Sequence, residues 1–117
     1  MPHLTLEHSA NICVESYSEL FRDLHQEMSA LAAVSACKSR VYVPQASWVG
    51  KGEANQALVA LTVRLLKNDT RTLAAKTALA EALKKRLDAF FASHFAQGGL
   101  QGSISVEVDD LAPVYLK

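Results

Sequence analysis

Polar and apolar residues alternate from His3 to His8, the two-residue period of a half-buried strand. Ser9, Ala10 and Asn11 break that pattern. Ser16 and Glu19 then stand at the spacing of a capping box. Leu20, Leu24, Met28 and Leu31 follow at intervals of four, four and three, which predicts a helix reaching about Val34. Val41 to Val43 reads as a short strand ended by Pro44, and Gln45 to Asn55, with two glycines and little periodicity, as a loop. Ala57 to Leu66 is rich in Val and Leu on both of its faces, the pattern of a central strand. Lys67 to Thr70 predicts a turn, and Thr72 can cap the next helix. That helix buries Leu79, Leu83, Leu87 and either Phe90 or Phe91, and Gly98-Gly99 ends it. Ile104, Val106 and Val108 alternate with Ser105 and Glu107 in a last strand.

The expected order is β-α-β-β-α-β, two strand–helix–strand halves of similar length with no low-complexity linker between them. The fold class is therefore α+β, with two helices on one face of a four-stranded mixed sheet. Residues 1–117 are expected to form a single domain, since a chain this long can bury a core without metal or disulfide staples. A two-faced apolar strand leaves the other sheet face needing cover, which an oligomer would supply.

Composition adds little to this and excludes much. Half the residues are hydrophobic and 21% are charged, an ordinary globular balance. No apolar run approaches the length of a membrane span, and the N-terminus has neither the basic flank nor the apolar run of a signal peptide. A cytoplasmic location is expected. Cys13 and Cys37 have no metal-ligand or redox spacing and are expected to be buried free thiols. His3 and His8 are five positions apart on one strand and point to opposite faces, so they cannot share a simple metal site. His25 and His94 fall on separate helices and read as solvent-facing or packed. Trp48 stands in the loop and reads as packed, with a pocket wall as the alternative. Phe90, Phe91 and Phe95 follow helical spacing and read as core.

Charge is more informative in its distribution than in its sum. The formal net charge is zero, yet from Lys38 to Arg86 ten Lys or Arg face three acids, a surplus of seven. The rest of the chain carries nine acids and two bases. A cationic middle on a neutral protein suggests a local anion site. No basic stripe with interleaved aromatics suggests nucleic acid. Lys84, Lys85 and Arg86 read as solvated helix charges. Arg64 lies in the predicted central strand, where an unpaired charge is costly, so it is either a site cation or a paired structural one.

Pro2 carries the most chemistry. Within a chain, proline has neither an N–H nor basicity. Removal of Met1 would leave it a secondary amine, whose pKa burial and nearby cations lower because both disfavour the ammonium form. A base poised near neutrality suits proton abstraction beside a carbonyl. Many chains begin Met-Pro, so the residues that follow decide its meaning.

Met1-Pro2-His3-Leu4-Thr5-Leu6-Glu7, with Asn11-Ile12, resembles the start of the 5-carboxymethyl-2-hydroxymuconate Δ-isomerase family of the tautomerase superfamily. The resemblance continues through Lys38-Ser39-Arg40-Val41, Val59-Ala60-Leu61-Thr62-Val63-Arg64, Arg71-Thr72-Leu73 and Ser105-Val106-Glu107-Val108. It implies a homotrimer of β-α-β-β-α-β subunits that needs no metal or organic cofactor. It also implies that an N-terminal proline moves a proton within a 2-hydroxymuconate-type dienol, giving the unsaturated 2-oxo acid in homoprotocatechuate breakdown. On that basis Pro2, Arg40 and Arg71 are the expected catalytic residues, and Lys38 and Arg64 the expected substrate-binding ones. The partner would be a small di- or tricarboxylate dienol, and the arginines suit it because a guanidinium holds a carboxylate bidentately. Two other readings stay open on the sequence: a tautomerase of different specificity, acting on a 2-oxo acid such as phenylpyruvate, and a non-enzymatic small-molecule-binding module of the same fold.

Overall fold

The computed structural model describes residues 1–116. Strands β1 (His3–His8), β2 (Lys38–Tyr42), β3 (Gln56–Leu65) and β4 (Gln101–Asp110) and helices α1 (Ser18–Ala32) and α2 (Leu73–Gly98) follow the order β-α-β-β-α-β. The sheet order is β2-β1-β3-β4. β1 runs parallel to β2 and β3 parallel to β4, while β1 and β3 are antiparallel, so two βαβ units meet at the centre of a mixed sheet.

Alternation along the strands separates two faces. Leu4, Leu6 and His8 of β1, with Ala57, Val59, Leu61, Val63 and Leu65 of β3, are buried on the helix-covered face. Leu20, Leu24 and Met28 of α1 and Leu79, Leu83, Leu87 and Phe91 of α2 meet them in one contiguous cluster. One Leu side chain so buried contributes roughly 1.5–3 kcal/mol relative to exposure. His8 belongs to this layer as a polar exception. Its Nδ1–H donates to the Ser9 carbonyl at 2.8 Å, which leaves Nε2 to accept from the Tyr17 hydroxyl at 2.6 Å. Both ring nitrogens thereby have partners.

Several expectations need correction. α1 begins at Ser18 with Tyr17 at its N-cap and no side-chain cap; Ser16 bonds to Ser18 instead, so the Ser16–Glu19 capping box does not form. The helix stops at Ala32, short of Val34, because Ala33 turns left-handed with its N–H on the Met28 carbonyl. Leu31 is 45% exposed, because its last-turn position carries it to the end of the helical layer. β2 starts three residues early, at Lys38, and omits Val43. It is an edge strand held by its ladder with β1, so a polar Lys38-Ser39-Arg40 start costs it no core contact.

β3 is not apolar on both sides. Its second face runs Leu58, Ala60, Thr62, Arg64, half-buried and then exposed. Arg64 therefore escapes the desolvation expected of a central-strand charge. β4 extends beyond Ile104–Val108 at both ends by following β3 through its whole parallel ladder. Cys13 is exposed rather than buried, and Cys37 is half-buried. Burial raises the Cys37 thiol pKa, against a smaller opposing pull from the amino terminus. α2 is as expected, with the Thr72 hydroxyl accepting from the Ala75 N–H and Gly99 left-handed at its end. Arg86 is not merely solvated, since it bridges α2 to Glu27 and Asp23 of α1.

Gly102 has a role that sequence pattern did not suggest. A Cβ there would lie 2.1 Å from the Phe95 ring, so α2 approaches β4 closely only because this strand position lacks a side chain. Gly102→Ala should destabilise the protein by about 1–3 kcal/mol through forced repacking of Phe95. Urea unfolding checks this, and an unchanged midpoint would mean that the ring moves aside freely.

Candidate active site

The ladder explains why distant segments meet at the N-terminus. Parallel pairing of His3 with Lys38 brings the start of β2, and the connection leading into it, beside the start of β1. Antiparallel pairing of His3 with Arg64 brings the end of β3 to the same place. Pro2 sits there, buried, one residue before β1 begins. Its missing N–H costs no ladder bond, while its carbonyl accepts from the Lys38 N–H at 2.8 Å.

A cavity of about 320 Å³ opens beside Pro2, lined also by Met1, residues 33–36, Leu66 and Arg71. Arg71 is aimed by the turn between β3 and α2. The Asn68 side chain accepts from the Thr70 N–H and hydroxyl, both at 2.9 Å, and the Arg71 N–H bonds to the Asn68 carbonyl. This is an Asx-type turn, in which a short side chain substitutes for backbone. The Arg71 guanidinium is braced by two carbonyls: Nη1 donates to Leu66 at 2.7 Å and Nη2 to Ala32 at 3.3 Å. Ala32 is the last residue of α1, so one arginine ties the end of that helix to the end of β3. Two of its five N–H groups are occupied and three remain for an anion.

The other expected cations lie elsewhere within the chain. Arg40 and Arg64 line a second cavity of about 240 Å³ with His3, Thr5 and Thr62. These residues project from the sheet face that no helix covers, as the register requires: Thr5 pairs with Arg40 and Thr62, and His3 with Arg64. Lys38 stands on the same face opposite His3, outside the cavity lining. Among the described residues, none of Lys38, Arg40, Arg64 and Arg71 forms an ion pair. Their field acts on His3, whose pKa lies below its ordinary value, first through burial and then through Arg40, Lys38, the amino terminus and Arg64. His3 Nε2 is hydrogen-bonded to the Tyr115 hydroxyl at 2.9 Å.

Sequence reasoning thus named Pro2 and Arg71, which share a cavity, and named Arg40, Arg64 and Lys38, which a single chain does not bring to it. It missed residues 33–36 and Leu66. The turn signal of Asn68 could have been read as an orienting device for Arg71, whereas nothing in the pattern marks Ser35. Trp48 is 82% exposed and lines a third cavity of about 300 Å³ with the loop around it, so it walls a pocket and is not packed. His25 bonds to the Ser39 hydroxyl and His94 to the Phe90 carbonyl. No helix of the described residues is long and apolar enough to cross a membrane.

A family model described as 5-carboxymethyl-2-hydroxymuconate isomerase matches residues 2–116. Among solved structures, a 5-carboxymethyl-2-hydroxymuconate isomerase from Deinococcus radiodurans R1 is 25% identical and superposes with a TM-score of 0.83 over 99% of this chain and 88% of that one. A 5-carboxymethyl-2-hydroxymuconate delta-isomerase, 18% identical, shares the fold with a TM-score of 0.81 over 100% of this chain and 87% of the other. A fused wild-type 4-OT symmetric trimer, 20% identical, does so at 0.63 over 93% and 85%. No curated protein matches in sequence.

The lowered His3 pKa has a sign that can be tested. The unfolded chain binds this proton more tightly than the folded one, so His3 costs stability at pH below its folded pKa and costs nothing above its ordinary value of 6.5. The melting temperature should fall as pH drops below about 6.5, and His3→Gln should flatten that part of the curve. A wild-type profile that the substitution leaves unaltered would remove the argument.

Proposed function

Because the chain belongs to the 5-carboxymethyl-2-hydroxymuconate isomerase family, and so is an isomerase of tautomerase fold, we propose that Pro2 is its acid–base group once Met1 is removed. The substrate is a 2-hydroxymuconate-type dienol carrying two or three carboxylates, as in homoprotocatechuate breakdown. One observation carries the reading: Pro2 is buried against a cavity lined by Arg71, the one charged side chain there among the described residues, which is held in place by two backbone carbonyls. Burial and a guanidinium both disfavour a prolyl ammonium, which favours the neutral amine that abstraction needs.

The reaction is a proton transfer with no net redox change. The Pro2 nitrogen takes the proton of the 2-hydroxyl, the electrons shift through the diene, and C5 receives a proton from the prolyl ammonium. The product is the α,β-unsaturated 2-oxo acid. Arg71 binds the C1 carboxylate and stabilises charge that develops on the adjacent 2-oxygen. It needs little reorganisation to do so, because its position is already set by the Asn68 turn, the Leu66 carbonyl and the Ala32 carbonyl.

Arg40, Lys38 and Arg64 complete the reading as the cations for the remaining carboxylates. They face outward on the uncovered sheet face, where a neighbouring subunit of a homotrimer would join them to a Pro2 cavity. The half-buried Leu58 and Ala60 on that face and the exposed Tyr42 and Val43 at the sheet edge agree with such cover. A second reading is favoured by the same geometry. Among the described residues of one chain the Pro2 cavity holds a single side-chain cation, Arg71, which suffices for a monocarboxylate 2-oxo acid such as phenylpyruvate.

Protein confirmed by mass to begin at Pro2 should ketonise 5-carboxymethyl-2-hydroxymuconate rapidly in an ultraviolet assay, and protein retaining Met1 should not. Arg71→Ala should lower kcat/KM by roughly 10²–10³-fold, as expected for loss of a preorganised charge partner. Equal rates with and without Met1 would exclude the Pro2 amine as base. Preference for a monocarboxylate enol over the tricarboxylate would select the second reading.

A further inference from the structure

The connection between α1 and β2 is short and fixed at both ends. On one side, the left-handed Ala33 stops the helix, and the Val34 N–H reaches back to the Met28 carbonyl at 3.4 Å. On the other, the Lys38 N–H is bonded to the Pro2 carbonyl. Val34 is anchored between them with its side chain in the core, 8% exposed. Ser35 follows immediately and lines the Pro2 cavity.

The cavity wall is otherwise simple. Of the residues that line it, Met1, Pro2, Ala33, Val34, Ala36 and Leu66 are apolar, and Ser35 and Arg71 are the ones with polar side chains. The Ser35 hydroxyl has no hydrogen-bond partner among the described residues, and the residue itself is exposed.

We propose that Ser35 is a specificity-determining residue of this site, its hydroxyl donating to the 2-oxygen of the substrate while Arg71 binds the adjacent C1 carboxylate. This rests on the Pro2 reading above and names the part of the ligand that the site recognises. That part is the two-carbon head of a 2-hydroxy-2-enoic or 2-oxo acid, with a carboxylate next to an oxygen-bearing carbon. A rotatable hydroxyl suits the 2-oxygen because it can donate to the enolate and to the product carbonyl alike. The apolar remainder of the wall accepts the conjugated carbons that follow. A donor directed at the oxygen where charge develops favours the intermediate over the starting enol.

The test uses protein beginning at Pro2 and separates this proposal from the Pro2 mechanism. Binding by calorimetry is measured for a 2-oxo acid and for the matching carboxylic acid that lacks the 2-oxygen. Wild-type protein should prefer the 2-oxo acid by about 10- to 100-fold, the range for one hydrogen bond to a strong acceptor. Ser35→Ala should bind both acids alike, keep its melting temperature, and lose a similar factor in kcat/KM, while Ser35→Thr should recover part of the preference. A Ser35→Ala variant that retains the wild-type preference would overturn the proposal even if the enzyme is active. Loss of preference in an enzyme that proves inactive would leave Ser35 as the head-group contact and overturn only the Pro2 reaction.

Discussion

β1 is hydrogen-bonded along both of its edges, parallel to β2 and antiparallel to β3. This double pairing places a six-residue N-terminal strand at the middle of the sheet, where its Leu4 and Leu6 are covered completely by the helices. A terminal segment ordinarily frays, but this one cannot separate without breaking two ladders and opening the core. The rigidity passes to Pro2, one residue outside the strand. The centre of the sheet thereby gives Pro2 a defined position.

The same topology decides what surrounds Pro2. A parallel βαβ unit returns the chain to the end from which it started, so the α1–β2 connection reaches the N-terminus. The antiparallel step to β3 sends that strand toward the same end, and the turn into α2 follows with Arg71. Three segments far apart in sequence converge on one cavity through strand direction alone. Arg71 then has two duties, satisfying carbonyls of Ala32 and Leu66 and leaving part of its guanidinium for an anion. Its rigidity is the structural counterpart of the preorganisation that charge stabilisation requires.

The sheet also separates charges that are close in sequence to one another or to the site. Arg40, Arg64 and Lys38 stand on the uncovered face, away from the residues that wall the Pro2 cavity. Alternation forces this: the positions whose neighbours Leu4, Val41 and Val63 face the helices must themselves face outward. Their mutual repulsion has no acid to relieve it among the described ion pairs, and His3 feels it as a depressed pKa. Positive charge concentrated in this way raises the local potential felt by anions and does not add to stability.

Much of the fold was legible because period and burial are local matters. The strict alternation of β1, the Leu79–Leu83–Leu87 stripe and the Thr72 and Gly99 ends of α2 all correspond to elements of the structure. Reading failed where non-local pairing overrides local pattern. The polar start of β2 becomes strand because β1 supplies its partners, and the Ser16–Glu19 spacing does not form its cap. Of the candidate site, sequence alone determined that a proline stands next to Met1 and that the middle of the chain is cationic. Tertiary structure decided which cation meets that proline. Within one chain it is Arg71, and not Arg40, that lines the cavity beside Pro2, together with Ser35, which has no periodicity or motif to mark it. The physical reason is that residue type and spacing specify which face of an element a side chain takes, whereas strand order and direction specify which ends come together.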